Sequence, residues 1–419
     1  MIDFEVTPID KVSNATIKVV CVGGAGGNTG NAMIESGCTD IACIAINTDA
    51  QALTLSKAPI KIQIGIKSTK GLGTGADPLV GRRAAEEDLE KVMEAIGQAD
   101  IVFLTGGMGG GTGSGALPVI AKALKERNIL TITIVTKPFS FEGKRRCRVA
   151  EEIVKQLESL TDTLIVIPNQ KLLAVCDVHM AMMDAFGMIN QILSQSVRAI
   201  SDIITRPGHI NVDYADVRTI MKDRGIAVMG TGKASGKDRA EMASLQAISS
   251  PLLENMHIEG AHAVLLNITG NKTLTLDELS KAASIVYEAA HEDANIILGT
   301  VIDESLKDEV MVTIIATGFE LQQKQESVSV QEKTVLQNQV ATSAIAQELH
   351  MQAAHKTAEP IVVQKEPVVL YDQQSAIEKN NHAVLNTQEY QQEHDMIAPL
   401  QDLDIPTFLR NKNNKEHSM

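Results

Sequence analysis

The sequence predicts an α/β protein: a doubly wound parallel-sheet domain, a long helix, and a smaller mixed-sheet domain. Three observations lead there. Continuous apolar runs rich in β-branched residues recur through the first half of the chain, helical segments separate them, and glycine-rich stretches follow two of the runs directly. Strands buried on both faces of a parallel sheet read as unbroken apolar runs, and strands alternating with helices build such sheets.

The strand candidates in this half are 17–22, 41–47, 101–104, 130–135 and 164–167, with helical segments at 80–97 and 116–127 between them. A long amphipathic stretch follows at 183–204. Phe186, Ile189, Leu193, Val197, Ile200 and Ile204 recur at helical spacing along it, and at 1.5 Å per residue it spans roughly 30 Å. Thr205-Arg206-Pro207-Gly208 stops it. A second folded region covers 211–318, with strands expected at 263–269, 296–301 and 310–316 and helices at 238–248 and 276–291. Past Gly318 there is no further glycine and glutamine becomes frequent. So low an apolar density does not offset ordering entropy, which predicts a disordered linker. Near the end, Asp404-Ile405-Pro406-Thr407-Phe408-Leu409-Arg410 is an apolar cluster in a polar tail, the pattern of a tethered docking peptide. The expected divisions are 14–182, 183–206, 207–318, 319–400 and 401–419.

Composition narrows the function. Of 419 residues 44% are hydrophobic, but only 3% are aromatic and none is Trp, so stacking platforms for nucleic-acid bases are scarce. A net charge of −14 argues against broad phosphate-backbone binding. Five cysteines at Cys21, Cys38, Cys43, Cys147 and Cys176, without metal-ligand spacing, read as reduced thiols in a cytoplasmic protein. Residues 1–13 lack the apolar run of a secretory leader, and no stretch approaches the ~20 apolar residues of a membrane span.

The glycine stretches carry the chemistry. Gly23-Gly24-Ala25-Gly26-Gly27-Asn28 follows one strand candidate, and Gly106-Gly107-Met108-Gly109-Gly110-Gly111-Thr112-Gly113-Ser114-Gly115 follows another. Glycines let backbone N–H groups approach oxygens closely, and a helix starting just beyond adds the positive end of its dipole. Pro118 is expected in the first turn of the second such helix. Each stretch suits phosphate, although a tight structural turn is the plainer reading of either alone. Neither has the Lys-Ser/Thr of a Walker loop. Neither fits G-x-G-x-x-G cleanly, although Asp49 lies where a dinucleotide-binding fold would place its ribose acid.

Gly109-Gly110-Gly111-Thr112-Gly113-Ser114-Gly115 resembles the signature loop of the tubulin superfamily. Asn47-Thr48-Asp49-Ala50-Gln51, Gly71-Leu72-Gly73-Thr74-Gly75-Ala76-Asp77-Pro78, the 136–146 segment, the 211–218 segment and the terminal peptide resemble the FtsZ branch, the bacterial cell-division GTPases. The resemblance runs from about 17 to 318 and resumes at the C-terminus. It implies a cytoskeletal GTPase that assembles head to tail into the ring at the division site, on the inner face of the cell membrane, with GTP or GDP and Mg²⁺ as ligands. Phosphates would lie on Gly24, Ala25, Gly26, Gly27, Asn28, Gly111, Thr112 and Gly113, with the 71–78 loop over the γ-phosphate. Glu142 and Arg146 match the nucleotide-contacting acid and base, although by itself Glu142 reads as a surface ion pair with Lys144 or Arg145. Phe186 and Asn190 match the guanine contacts, although by itself Phe186 reads as core. Asp213 and Asp216, assisted by Asn211, match the acids that activate water in the next subunit's site, although by themselves they read as a helix N-terminus. Asp404, Ile405, Pro406, Phe408, Leu409 and Arg410 match the peptide that binds membrane adaptors and regulators. A non-hydrolysing scaffold and an NAD-dependent dehydrogenase are the other readings.

Overall fold

The computed structural model describes residues 15–38, 41–172, 180–206, 208, 210–253 and 258–319. Cys176, the linker from 320 onward and the terminal peptide lie outside them.

The first half alternates strictly. Strand β1 (Ile17–Val22) leads into α1 (Gly23–Glu35), β2 (Ala42–Asn47) into α2 (Ala50–Leu55), and β3 (Ile60–Gln63) into α3 (Ile66–Thr69). The predicted 80–97 helix is two helices, α4 (Pro78–Glu87) and α5 (Leu89–Ile96). Asp77 caps α4 through Leu79 N–H, with Pro78 at its first position. Then come β4 (Ile101–Gly107), α6 (Thr112–Glu126), β5 (Leu130–Lys137), α7 (Lys144–Leu160), β6 (Thr163–Pro168) and the single turn α8 (Asn169–Leu172). The central helix α9 runs Met182–Thr205, about 36 Å at the standard rise. The second half holds α10 (Tyr214–Met221), β7 (Gly225–Ser235), α11 (Arg239–Ile248), β8 (Ala263–Gly270), α12 (Leu276–Ala289), β9 (Asn295–Ile302) and β10 (Glu309–Thr317).

All ten strands among the described residues join one sheet, in the order β3-β2-β1-β4-β5-β6-β7-β10-β8-β9. β1 to β6 are mutually parallel, β7 continues parallel to β6 over three residue pairs, and β10 runs antiparallel between β7 and β8. The mixed second region is thus continuous with the parallel one. One face of β1–β6 carries α4, α5, α6 and α7 over a core that includes Leu104, Leu117, Ile120 and Leu124. The opposite face carries α1, α9 and α10, and that core extends under both halves: Leu193, Val197 and Ile200 belong to the same cluster as Phe103 and Leu265. A third core lies between β7–β10 and the pair α11 and α12.

Strand β7 is absent from the sequence reading because glycines interrupt it. The packing explains them: a Cβ at Gly230 or Gly232 would drive into the carbonyl oxygens of Ala247 and Ala243, so α11 lies directly on the strand backbone. Pro118 corrects another expectation. Helix α6 begins at Thr112, which puts Pro118 in its second turn, where the proline has no N–H to give Ser114.

Arg239 is 5% exposed and holds the α11–α12 layer together. Its guanidinium donates to Glu278 Oε1 at 2.7 Å, Asp308 Oδ1 at 3.0 Å and Thr273 Oγ1 at 3.1 Å. Burial works against the Glu278 carboxylate, but hydrogen bonds from Arg239 and Thr275 outweigh it and hold its pKa below the ordinary value. A carboxyl lowered in this way contributes stability above its unfolded pKa of about 4.3, and that stability is lost as pH falls through the folded value. Arg239→Met strands Glu278 and should cost about 3 kcal/mol at neutral pH, with a smaller deficit below pH 4. Denaturant unfolding at both pH values checks this, and an equal deficit at both would rule out the ion pair as its source.

Candidate nucleotide site

The strand order reverses between β1 and β4, which are hydrogen-bonded neighbours in register from Ile17↔Ile101 to Val22↔Gly106. In an open parallel sheet the loops leaving two such strands diverge, and the crevice outside their carboxyl ends is where ligands bind. The two glycine stretches leave these two strands.

They are built differently from a pair of loops. The first is no separate loop: the chain turns at Gly23, whose φ of 73° is left-handed, and α1 begins there. Neither α1 nor α6 has a side-chain cap at its N-terminus, so first-turn N–H groups remain available to an anion. The two turns touch. A Cβ at Gly23 would meet Gly113 N at 3.1 Å, and one at Gly107 would meet Ala25 Cβ at 2.7 Å.

Packing sorts the predicted glycines. A Cβ at Gly26 would press on the Thr105 carbonyl oxygen at 2.6 Å and one at Gly113 on the Gly107 carbonyl oxygen at 2.6 Å, while one at Gly111 would overlap Thr74 Oγ1. The fold itself requires these three to lack side chains. Gly24 and Gly27 face open space, so no neighbouring atom among the described residues accounts for them. A cavity of about 130 Å³ opens beside them, lined in part by Asn28, Asn31, Asn47 and Ser56.

The loop after β5 supplies the next group. Glu142 accepts from Phe139 N–H at 2.9 Å and from Arg146 at 2.9 Å. Glu142 therefore pairs with Arg146 rather than with Lys144 or Arg145, and the predicted acid and base are brought together. Phe139 stacks on Phe141 at 4.9 Å and takes the edge of Phe186 at 5.6 Å. Phe186 is half-buried against the core, and Asn190, one turn further along α9, is half-buried on the same side.

Asn169 was not anticipated. It follows β6 directly, at the edge that carries the glycine turns, and is 6% exposed with its Oδ1 lacking a hydrogen-bond partner among the described residues. An orphaned buried acceptor costs free energy unless something donates to it, and a guanine ring carries N–H donors on its Watson–Crick edge. The signal available in the sequence was an Asn placed immediately after a buried parallel strand.

Asn211, Asp213 and Asp216 lie elsewhere. Asp213 caps α10, accepting from Asp216 N–H at 2.8 Å, and Asp216 accepts in return from Asp213 N–H at 3.3 Å. Asn211 Oδ1 accepts from Gly208 N–H at 2.8 Å. All three residues are exposed. The helix-start reading therefore describes the isolated chain. Each carboxylate keeps one oxygen outside the capping box, and neither has a cationic partner among the described residues. Tyr214 donates to the carbonyl of Asp100, the residue before β4. This segment thus sits at the amino edge of the sheet and the glycine turns at its carboxyl edge. Six or seven residues of strand separate them, roughly 20 Å.

Together these features define a class, an α/β nucleotide-binding protein in which two glycine turns converge at the carboxyl edge of the sheet without a Walker lysine. Residues 16–177 match the GTPase domain of the Tubulin/FtsZ family, and residues 225–320 match the C-terminal domain of the FtsZ family. An empty FtsZ dimer from M. jannaschii is 41% identical, with a TM-score of 0.71 over 74% of this chain and 89% of that one. Two Haloferax volcanii proteins share the fold. A GDP-bound CetZ1 monomer is 22% identical, with a TM-score of 0.64 over 73% of this chain and 95% of its own, and a GTPγS-bound CetZ2 protofilament is 21% identical, with a TM-score of 0.61 over 77% and 99%. The chain belongs to the FtsZ family, and its activity is hydrolysis of GTP.

The sorting of the glycines gives a paired expectation. Gly24→Ala should raise or keep the melting temperature, because Ala outranks Gly in a helix by up to about 1 kcal/mol, while weakening GTP binding. Gly26→Ala should lower the melting temperature through a clash worth about 1–3 kcal/mol. Melting curves and nucleotide titration on both variants check this; a stable Gly24→Ala protein with unchanged affinity would remove Gly24 from the site.

Proposed function

We propose that this chain is the filament-forming GTPase of the cell-division ring, and that it hydrolyses GTP at a site completed by a second copy of itself. The observation that carries the reading is the placement of the Asp213–Asp216 pair and the glycine turns on opposite edges of one sheet. A chain cannot bring its own acids to its own phosphate site across roughly 20 Å of strand, but a copy stacked edge to edge can. The dimer and the protofilament among the similar structures support self-association.

In this reading first-turn N–H groups of α1 at Gly24–Asn28 and of α6 at Gly111–Gly113 hold the phosphates, and the 71–78 loop covers the γ-phosphate. Phe186 stacks on guanine. Asn190 and the orphaned Oδ1 of Asn169 take its polar edge, Glu142 takes ribose hydroxyls, and Arg146 takes phosphate oxygen. Mg²⁺, when bound, would neutralise charge on β- and γ-phosphate oxygens, and the hard oxygen donors of this edge suit it, including the Asp49 carboxylate, whose Oδ1 alone is occupied by capping α2. The neighbour's Asp213 and Asp216 accept hydrogen bonds from a water through their unengaged oxygens, and its Asn211 fixes that water in line. The water oxygen bonds to the γ-phosphorus, the bond to the β–γ bridging oxygen breaks, and a carboxylate takes the water's proton. Catalysis of this kind is mainly positioning and charge stabilisation.

We assign 14–182 to nucleotide binding, 183–206 to the connecting helix and 207–318 to activation of the neighbour. The 319–400 segment tethers 401–419, in which Asp404, Ile405, Pro406, Phe408, Leu409 and Arg410 dock membrane adaptors and regulators. No helix among the described residues is long and apolar enough to cross a membrane, and we assign the protein to the cytoplasmic side of the division site.

Phosphate release measured over a series of chain concentrations should show a threshold. Asp216→Asn, which keeps an acceptor for the α10 cap, should reduce turnover roughly 10²-fold or more, the range for losing a general base, and leave GTP binding intact. Specific activity independent of concentration would mean a self-contained site.

A further inference from the structure

Thr48 has no role in the mechanism above, yet its side chain is buried beside the two glycine turns. Thr48 follows β2 and is fully buried. Its Oγ1 lies 2.8 Å from Oγ1 of Thr112, the first residue of α6. The bond therefore spans from the end of β2 to the turn after β4, across β1 and beside Gly23, where a Cβ would meet Thr112 Cβ at 3.5 Å. Thr69 Oγ1 donates to the Gly65 carbonyl at 2.9 Å and lies 3.4 Å from the Thr48 carbonyl. Thr69 Oγ1 also accepts from Gly71 N–H at 3.3 Å, and Leu72 bridges to Asp49.

We infer that Thr48 is a positioning residue for the phosphates. It fixes the rotamer of Thr112, directs that hydroxyl toward phosphate oxygen, and ties the first turn of α6 to the start of the 71–78 loop. A hydroxyl has one proton and two lone pairs. When Thr48 donates to Thr112, the Thr112 proton is free for an anion, and the pair acts as one relay. The inference rests on the reading that α6 receives phosphate.

The test uses the full chain and three ligands: a non-hydrolysable GTP analogue, GDP and guanosine. Thr48→Val keeps the shape of the side chain and removes the hydroxyl. It should weaken both phosphorylated ligands about tenfold, the scale of one well-placed hydrogen bond, and leave guanosine unchanged. Thr48→Ser should restore wild-type affinity. Thr112→Val should match Thr48→Val, and the double variant should be no weaker than either, because two members of one relay are not additive. If Thr112→Val weakens the phosphorylated ligands and Thr48→Val does not, the role of Thr48 is wrong and the phosphate site stands. Unchanged affinity in Thr112→Val would overturn the phosphate assignment of α6 and this inference with it. Parallel loss of guanosine in Thr48→Val would show that the hydroxyl serves only the fold.

Discussion

The adjacency of β1 and β4 is the constraint on which the rest of the molecule depends. Because the winding direction changes between them, helices α1 and α6 leave toward opposite faces of the sheet, and their first turns are forced together where they leave. Two peptide backbones can meet there only if side chains are absent, which is why Gly23 faces Gly113 and Gly107 faces Ala25. The same closeness that removes the side chains leaves two helix starts uncapped and aimed at one crevice. The open N–H groups at this edge are thus a by-product of how tightly two helices can be seated on neighbouring strands.

A long helix joins the two edges. Helix α9 starts beside the Phe139–Phe186 contact and ends just before Asn211, and its apolar stripe belongs to the core shared by both halves. Near its end Asp202 meets Arg198 at 3.7 Å and Arg206 at 3.4 Å, and Arg198 extends to Asp303 and to the Ser36 carbonyl. Burial pushes the Asp202 carboxyl up, and the two arginines work against that. Arg198 therefore ties the far end of α1, whose first turn belongs to the glycine site, to the turn between β9 and β10.

Much of this was legible in the residues. The unbroken apolar runs gave the parallel strands except β3, whose Ile60-Lys61-Ile62-Gln63 is short, alternates with polar residues and is half exposed at the sheet edge, and the 183–204 periodicity located α9 to within a residue at each end. Strand β7 was illegible because its glycines serve the packing of α11, a tertiary cause with no local pattern. Pro118 misled because the start of a helix was judged from the proline rather than from the glycines before it. At the site, composition could not separate Gly24 and Gly27, which face open space, from Gly26 and Gly113, which the fold itself requires. Asn169 escaped because a lone Asn at a strand end has many uses, and only its burial and missing partner single it out. The pairing of Thr48 with Thr112, 64 positions apart, is visible only once the strands are in order.

The single sheet that joins both halves also has mechanical meaning. A pull applied between its two edges runs along the strands, so it loads the hydrogen-bond ladders in shear. A sideways pull is different. It meets the seam between β6 and β7, where three residue pairs hold the ladder, and can open that seam one bond at a time. The sheet is therefore stiffer to a pull along its strands than to one across the β6–β7 seam, which makes that seam the place where its two halves would part first.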